Sequence, residues 1–209
     1  MMVIKTVNAY GIQDLVSLSA DTADIFLVNY QKTIIFATYY SIPEVIRTSR
    51  YLSEVKNCIV MLCAKLIIED DRYYSVVVFE SGKLLGIADA ISEEGYLQGK
   101  TQKIYRVKDN KIGVCVGSDF LQPGMDNQYL CGADIVIHIC NEDFEKKHYR
   151  ALKARSGFNS GQFISFYKND VFVFDGYLKR INVGDNIYAK FNKESKRKLN
   201  GFLKVAIIE

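Results

Sequence analysis

Five cysteines and two histidines are the side chains of this sequence that could perform nucleophilic or metal-assisted chemistry. A cysteine becomes a nucleophile when a base and a cation lie beside it, and a metal site needs several ligands at regular spacing. No Cys-x-x-Cys pair occurs, neither histidine has a partner at ligand spacing, and the cysteine count is odd. We therefore expect reduced thiols, no metal site, no cofactor and a cytoplasmic location. The residues are Cys58, Cys63, Cys115, Cys131, Cys140, His138 and His148.

The surroundings of the two histidines favour structural roles. His138 lies inside an apolar run, which predicts a hydrogen-bonded core histidine. His148 lies beside Lys146, Lys147 and Arg150, which predicts a solvated helix face.

Short β-branched and aromatic runs separated by turn residues dominate the chain, a pattern typical of strands. Ser81-Gly82 between two such runs predicts a hairpin turn, Pro43 predicts the first turn of a helix, and Asn141 is a candidate N-cap. Strands alternate with helices at first and hairpins accumulate later, so we predict an α/β fold with a mixed sheet and helices on its faces. The predicted helices cover 12–18, 43–55, 123–130 and 144–158, and the predicted strands cover 3–7, 23–28, 58–68, 73–79, 84–87, 104–107, 112–116, 135–139, 163–166, 171–174, 177–181, 187–191 and 202–208.

Length and composition indicate one folded domain covering 1–209. The chain has 209 residues, of which 49% are hydrophobic and 24% charged, which excludes a disordered protein. The net charge of +3 is too balanced to predict a nucleic-acid partner, and the basic stretch 193–198 is interpreted as a solvated loop. No apolar run approaches the ~18 residues that span a bilayer, so we expect no membrane partner.

The segment 111–120, KIGVCVGSDF, carries the first sign of a known family. It resembles the nucleophile segment of the nitrilase (carbon–nitrogen hydrolase) superfamily, in which a strand ends in a cysteine, an aromatic residue and an aspartate, with a proline shortly after, as Pro123 is here. Further segments are similar to the family in the same order along nearly the whole chain. They are Ala23–Val28, Tyr73–Phe79 with Gly82 and Gly86, Tyr96–Gly99, Gly132–Asp134, Leu152–Asn159, and the closing hairpins around Gly176 and Gly184.

The resemblance implies a four-layer α/β/β/α sandwich and a homodimer or higher homo-oligomer. Family members cleave or exchange C–N bonds with a cysteine nucleophile, a glutamate base and a lysine that stabilises the tetrahedral intermediate. The matching positions in this sequence are Tyr30 for the base, Ala90 for the lysine and Gly117 for the cysteine. A glycine cannot form an acyl intermediate, an alanine offers no cation, and a tyrosine with a pKa near ~10 is a poor base at neutral pH.

Other residues near these positions could restore chemistry or bind a ligand. Cys115 lies two residues before Gly117, where we favour a core thiol, and Cys140 ends a strand beside the expected pocket. Glu93 or Glu94 resembles a supporting glutamate of the family, and Ser118 and Asp119 follow the nucleophile position, where Asp119 is expected to accept backbone hydrogen bonds. The expected binding residues are Tyr30, Glu94, Ser118 and Cys140.

Two functions follow from these positions. The first is a catalytically degenerate nitrilase-fold protein with a binding or assembly role, whose enlarged pocket could hold a small amide-like or nitrile-like ligand. The alternative is a diverged hydrolase of C–N bonds with a relocated nucleophile, Cys115 or Cys140, whose thiol would then need a depressed pKa.

Overall fold

The computed structural model describes residues 1–38, 40–100, 103–121, 132–156, 162–174 and 178–189. Its helices are α1 (Ile12–Ser17), α2 (Glu44–Val55) and α3 (Lys146–Ser156), with 3₁₀ turns at Leu18–Ala20 and Gly117–Leu121. Its strands are β1 (Met2–Ala9), β2 (Ile25–Tyr30), β3 (Ile34–Phe36), β4 (Ile59–Ile68), β5 (Asp71–Glu80), β6 (Lys83–Asp89), β7 (Lys103–Val107), β8 (Asn110–Val116), β9 (Ile135–Ile139), β10 (Gln162–Phe166), β11 (Val171–Phe174), β12 (Leu178–Ile181) and β13 (Asn186–Ala189).

The described strands form two mixed sheets. The first sheet has the order β13-β1-β2-β4-β5-β6, with β3 also paired to β4, and the second has the order β12-β11-β10-β9-β8-β7. In each sheet the central strands are parallel, β1-β2-β4 in one and β8-β9-β10 in the other, and antiparallel strands flank them. This arrangement confirms the predicted mixed α/β class.

Side-chain alternation along the strands divides the core into three layers of apolar contact. One cluster fills the space between the sheets and includes Leu27, Met61 and Ile137. A second lies between the first sheet and helices α1 and α2, and a third lies on the outer face of the second sheet, where Leu152 of α3 packs. The sheets therefore pack face to face with helices outside them, as the four-layer sandwich requires.

Several local predictions need correction. Strand β3 was not predicted, because Ile34–Phe36 is only three residues long. Helix α3 begins at Lys146, so Asn141 is not its N-cap; instead the Asn141 backbone N–H donates to the Tyr74 hydroxyl. The predicted helix 123–130 and strand 202–208 lie outside the described residues.

His148 is not on a solvated face. Its side chain is 3% exposed and its ring stacks on Tyr167, with 5.3 Å between ring centroids. Its Nδ1 accepts from the Glu145 backbone N–H. The basic residues around His148 are exposed, while the imidazole faces the outer surface of the second sheet. The same helical turn therefore has one solvated side and one buried side.

Among the helices described, none is both long enough and apolar enough to cross a lipid bilayer. In the same ranges, no three His, Cys, Asp or Glu side chains are grouped as ligands for a metal ion.

The β5–β6 hairpin packs its turn against the last turns of α2. Ser81 and Gly82 both have positive φ, +47° and +79°, as a tight two-residue turn requires. The Gly82 N–H donates to Ser53 Oγ at 3.0 Å, and its carbonyl accepts from Arg50 Nε at 2.7 Å. A Cβ on Gly82 would lie 3.0 Å from Glu54 Cβ, so a side chain at this position would press on α2.

We expect Gly82→Ala to lower the free energy of unfolding more than Gly95→Ala does. Both glycines have φ of +79°, but a Cβ on Gly95 would meet nothing within 4 Å. Gly95→Ala should therefore cost about 1 kcal/mol for backbone strain alone, and Gly82→Ala should add the contact with Glu54. Urea denaturation of the two variants measures the difference, and equal losses would show that the α2 contact carries no strain.

Candidate functional site

The candidate site lies where the carboxyl ends of β2 and β9, from different sheets, approach each other. The Asn29 side-chain amide donates to the Cys140 carbonyl at 3.0 Å, and the Asn141 amide donates to the Tyr30 carbonyl at 3.1 Å. Tyr74 of β5 lies between these ends, fully buried, with its hydroxyl bonded to the Asn141 N–H. Side-chain amides and one tyrosine thus join the two sheets at this edge.

Gly117 begins the turn after β8 with a φ of +58°, which a residue with a side chain adopts only at a cost. A Cβ built at this position would lie 2.4 Å from Glu93 Oε2 and 2.8 Å from Tyr74 Cε1. The next N–H, that of Ser118, donates to the same Glu93 oxygen at 2.7 Å. The carboxylate of Glu93 therefore occupies the space into which a nucleophilic side chain at position 117 would extend.

The loop that carries Glu93 is held by Asp119. The buried Asp119 carboxylate accepts from the backbone N–H groups of Ile91 and Ser92, at 2.9 and 2.8 Å, and from the Ser92 hydroxyl at 2.9 Å. Burial raises the pKa of Asp119 and these hydrogen bonds oppose the increase. The sequence-based expectation that Asp119 accepts backbone hydrogen bonds is what the structure shows.

Ala90 and Gly117 come together around Tyr74. Ala90 is 1% exposed, and its N–H donates to the Tyr74 carbonyl at 2.8 Å. Its methyl group belongs to the cluster between the sheets, so this position contributes packing and no charge.

The side chain of Tyr30 does not join them. Strand alternation turns it to the opposite face of the first sheet, where it packs in the cluster beneath α1, and burial there raises its pKa. The expectation that the Tyr30 side chain is a binding residue is therefore corrected: only its carbonyl faces the site. Asn29, one residue earlier, directs its amide into the site, and its Oδ1 has no donor among the described protein atoms.

The proposed relocated nucleophiles lie in the protein interior. Cys115 is 1% exposed and packs on the helix-facing side of the second sheet. Cys140 is 3% exposed at the site, within hydrogen-bonding reach of the Tyr74 hydroxyl. Burial, with smaller contributions from the carboxylates of Glu142 and Glu93, raises the pKa of Cys140 to about 12. This thiol is protonated at neutral pH, whereas a cysteine nucleophile needs the opposite shift.

The sequence alone did not identify three groups of the site correctly. Glu93, not the exposed Glu94, provides the carboxylate at the site, although both were candidates. Ser118 contributes its backbone N–H to that carboxylate. The cation was missed: Lys65 Nζ lies 5.7 Å from the ring centroid of Tyr74 and 5.9 Å from that of Tyr96. Lys65 lies directly opposite Tyr74 in the β4–β5 hairpin, and this register was the signal that could have placed the lysine beside the ring.

His138 supports the turn from the second sheet. Its Nε2 lies 2.8 Å from the Gly117 carbonyl, which can only accept, so this nitrogen carries the proton and Nδ1 accepts from the Ser165 hydroxyl at 2.7 Å. Burial lowers the pKa of His138 to about 4. The predicted role as a hydrogen-bonded core histidine agrees with these contacts.

We expect Gly117→Ala to lower the free energy of unfolding by about 3 kcal/mol, from left-handed strain plus overpacking against Glu93 and Tyr74. Gly95→Ala, which has the strain without the contacts, is the matched control. Adding Glu93→Ala to Gly117→Ala should recover part of the loss in urea denaturation. A loss equal to that of the control would contradict the described contacts.

We expect His138 to make stability fall as the pH is lowered from about 6.5 towards 4. The pKa of this imidazole is lower in the folded state than in the unfolded chain. As the pH falls, the unfolded chain therefore binds the proton first, and this binding favours unfolding. The full effect of a shift from 6.5 to about 4 is about 3 kcal/mol. The pH dependence of the unfolding free energy, measured for the wild type and His138→Gln, should differ by that amount between pH 7 and 4. Parallel profiles would contradict a neutral buried imidazole.

No family model and no curated protein matches the sequence. Solved structures do match the fold over nearly the whole chain. A CN-hydrolase superfamily protein of Xanthomonas campestris aligns with a TM-score of 0.73 and 12% identity, covering 100% of this chain and 97% of that one. Saccharomyces cerevisiae Nit3, a member of branch 10 of the nitrilase superfamily, aligns with a TM-score of 0.71 and 13% identity, covering 96% and 94%.

An amidase of Nesterenkonia from the same superfamily aligns with a TM-score of 0.70 and 11% identity, covering 98% of this chain and 97% of the amidase. The coverage in both directions shows that the likeness extends through both sheets and their helices. The chain thus has the fold of the nitrilase (carbon–nitrogen hydrolase) superfamily.

Proposed function

We propose that this chain is a non-catalytic member of the nitrilase fold with a binding or assembly role. The observation that carries the proposal is the Glu93 carboxylate at the position where a side chain on residue 117 would lie, 2.4 Å from the built Cβ. A nucleophile there would have to displace this carboxylate and its hydrogen bond from the Ser118 N–H. An acyl group on residue 117 would also have to displace the buried Tyr74 ring, whose Cε1 lies 2.8 Å from the built Cβ.

The electrostatics at the same edge support this reading. A carboxylate stabilises positive charge, so Glu93 opposes the development of an oxyanion beside the Ser118 N–H. Burial raises the pKa values of Cys63 and Cys140, and the charge of Glu93 adds a smaller contribution in the same direction. Burial, more than charge, therefore keeps the thiols around Tyr74 protonated, since Lys65 lowers the pKa of Cys63 while Glu93 raises it.

The proposal includes the partners expected from the resemblance. An assembly role would involve a homodimer or a higher homo-oligomer, and sedimentation velocity measures this oligomeric state. A small amide-like or nitrile-like ligand could enter only where Glu93 moves away from Gly117, because the two are already in contact.

We expect no ammonia release when the purified protein is incubated with a panel of amides, nitriles and N-carbamoyl compounds. The physical reason is the missing nucleophile at position 117, and an amidase of the same fold, assayed in parallel, is the positive control. Turnover that disappears in Cys140→Ser or Cys115→Ser would overturn the proposal in favour of a diverged hydrolase with a relocated thiol.

Thiol labelling separates the same two functions without a substrate. In a Cys131→Ser background, the remaining thiols should react with iodoacetamide at pH 7.5 at least tenfold more slowly than free cysteine. They are buried and, for Cys58 and Cys140, have pKa values raised to about 11 and about 12. A single thiol that reacts faster than free cysteine would support the hydrolase alternative.

A further inference from the structure

A second concave site lies on the opposite face of the first sheet from Glu93. It is a groove of about 530 Å³ between α2 and the edge strand β6, a size typical of small-molecule sites. Strand alternation gives it an apolar floor, because the helix-facing side chains of β4, β5 and β6 point into it. The floor includes Leu66, Val77, Phe79, Leu84 and Ile87.

The apolar floor extends beyond what α2 covers. Leu66 and Phe79 are buried, while Leu84 and Ile87 on the edge strand remain 56% and 39% exposed. Ile42, before α2, is 55% exposed on the opposite side of the groove. An apolar surface that is concave, continuous and partly open to water gains free energy when an apolar group fills it.

Among the described residues that line the groove, the charged side chains are the cations Arg47, Arg50 and Lys83, while Glu54 lies beside Gly82, which also lines the groove. The chain as a whole has 27 basic and 24 acidic residues, so a lining of one sign departs from its average. The bond from Arg50 Nε to the Gly82 carbonyl fixes that guanidinium at the rim and leaves its terminal nitrogens as donors. The groove thus combines an apolar floor with donors suited to a carboxylate.

We propose that this groove binds a long-chain acyl carboxylate, with the chain along the floor and the carboxylate at the cationic rim. Each methylene buried on the floor contributes favourably to the free energy of binding. Arg47, Arg50 and Lys83 neutralise the negative charge of the carboxylate. A second copy of the chain fits less well. A two-fold contact through the same groove would bring these cations close to their own symmetry mates.

The test uses the full chain and a dansyl-labelled undecanoic acid, whose fluorescence rises in an apolar site, with displacement by myristate. We expect saturable binding at micromolar concentration and displacement by myristate at least tenfold stronger than by tetradecanol, which has the chain without the charge. Leu84→Glu and the double variant Arg47→Glu/Lys83→Glu should each weaken probe binding at least tenfold. The controls are Val16→Glu and Lys147→Glu, which change exposed residues outside the groove and should leave binding unchanged.

Three results would overturn the proposal. One is the absence of saturable probe binding by the folded wild type. Another is binding that Leu84→Glu and Val16→Glu weaken equally, which would place the probe elsewhere. The third is a dimer in sedimentation velocity that Leu84→Glu dissociates while the wild type binds no probe, which would make the groove an interface between copies.

Discussion

The hydrogen bonds that Asp119 accepts are the interaction on which the rest of the site depends. Asp119 follows β8 of the second sheet, while Ile91 and Ser92 follow β6 of the first, so one carboxylate joins the ends of two sheets. The loop is held at both acceptor oxygens, and Glu93 comes next in the chain. The position of the Glu93 carboxylate against Gly117 is therefore a consequence of where Asp119 anchors its neighbours.

The edge between the sheets is stabilised by neutral and protonated groups as much as by charge. Burial raises the pKa of Tyr74 well above its usual value and keeps His138 neutral, so both act through fixed hydrogen bonds. Glu93 and Asp119 are the carboxylates at this edge, and backbone N–H groups donate to both, that of Ser118 to Glu93 and those of Ile91 and Ser92 to Asp119. Desolvation where the strands meet thus keeps the Cys140 thiol protonated.

Much of the fold could be predicted from the sequence, because strands and turns have local signatures. The Ser81-Gly82 turn and the apolar run Ile135–Ile139 are where the pattern placed them, and the ordered motifs indicated the four-layer sandwich. The site was less predictable, since it depends on which face a strand end presents. A shift of one residue separates Asn29, which faces the site, from Tyr30, which faces α1. His148 was misassigned for a related reason, because basic neighbours on a helix do not determine where one ring packs.

The contact between positions 93 and 117 also constrains how this sequence can change over time. A side chain at position 117 would require the Glu93 carboxylate to move, because the built Cβ lies 2.4 Å from Glu93 Oε2. If a side chain is introduced at position 117 first, it crowds Glu93 and Tyr74 and destabilises the protein. If the carboxylate at position 93 is lost first, the Ser118 N–H is left without its partner. A reactive group at residue 117 would therefore be tolerated best in a chain that has also lost the carboxylate at position 93. The effects of substitutions at positions 93 and 117 are thus energetically coupled.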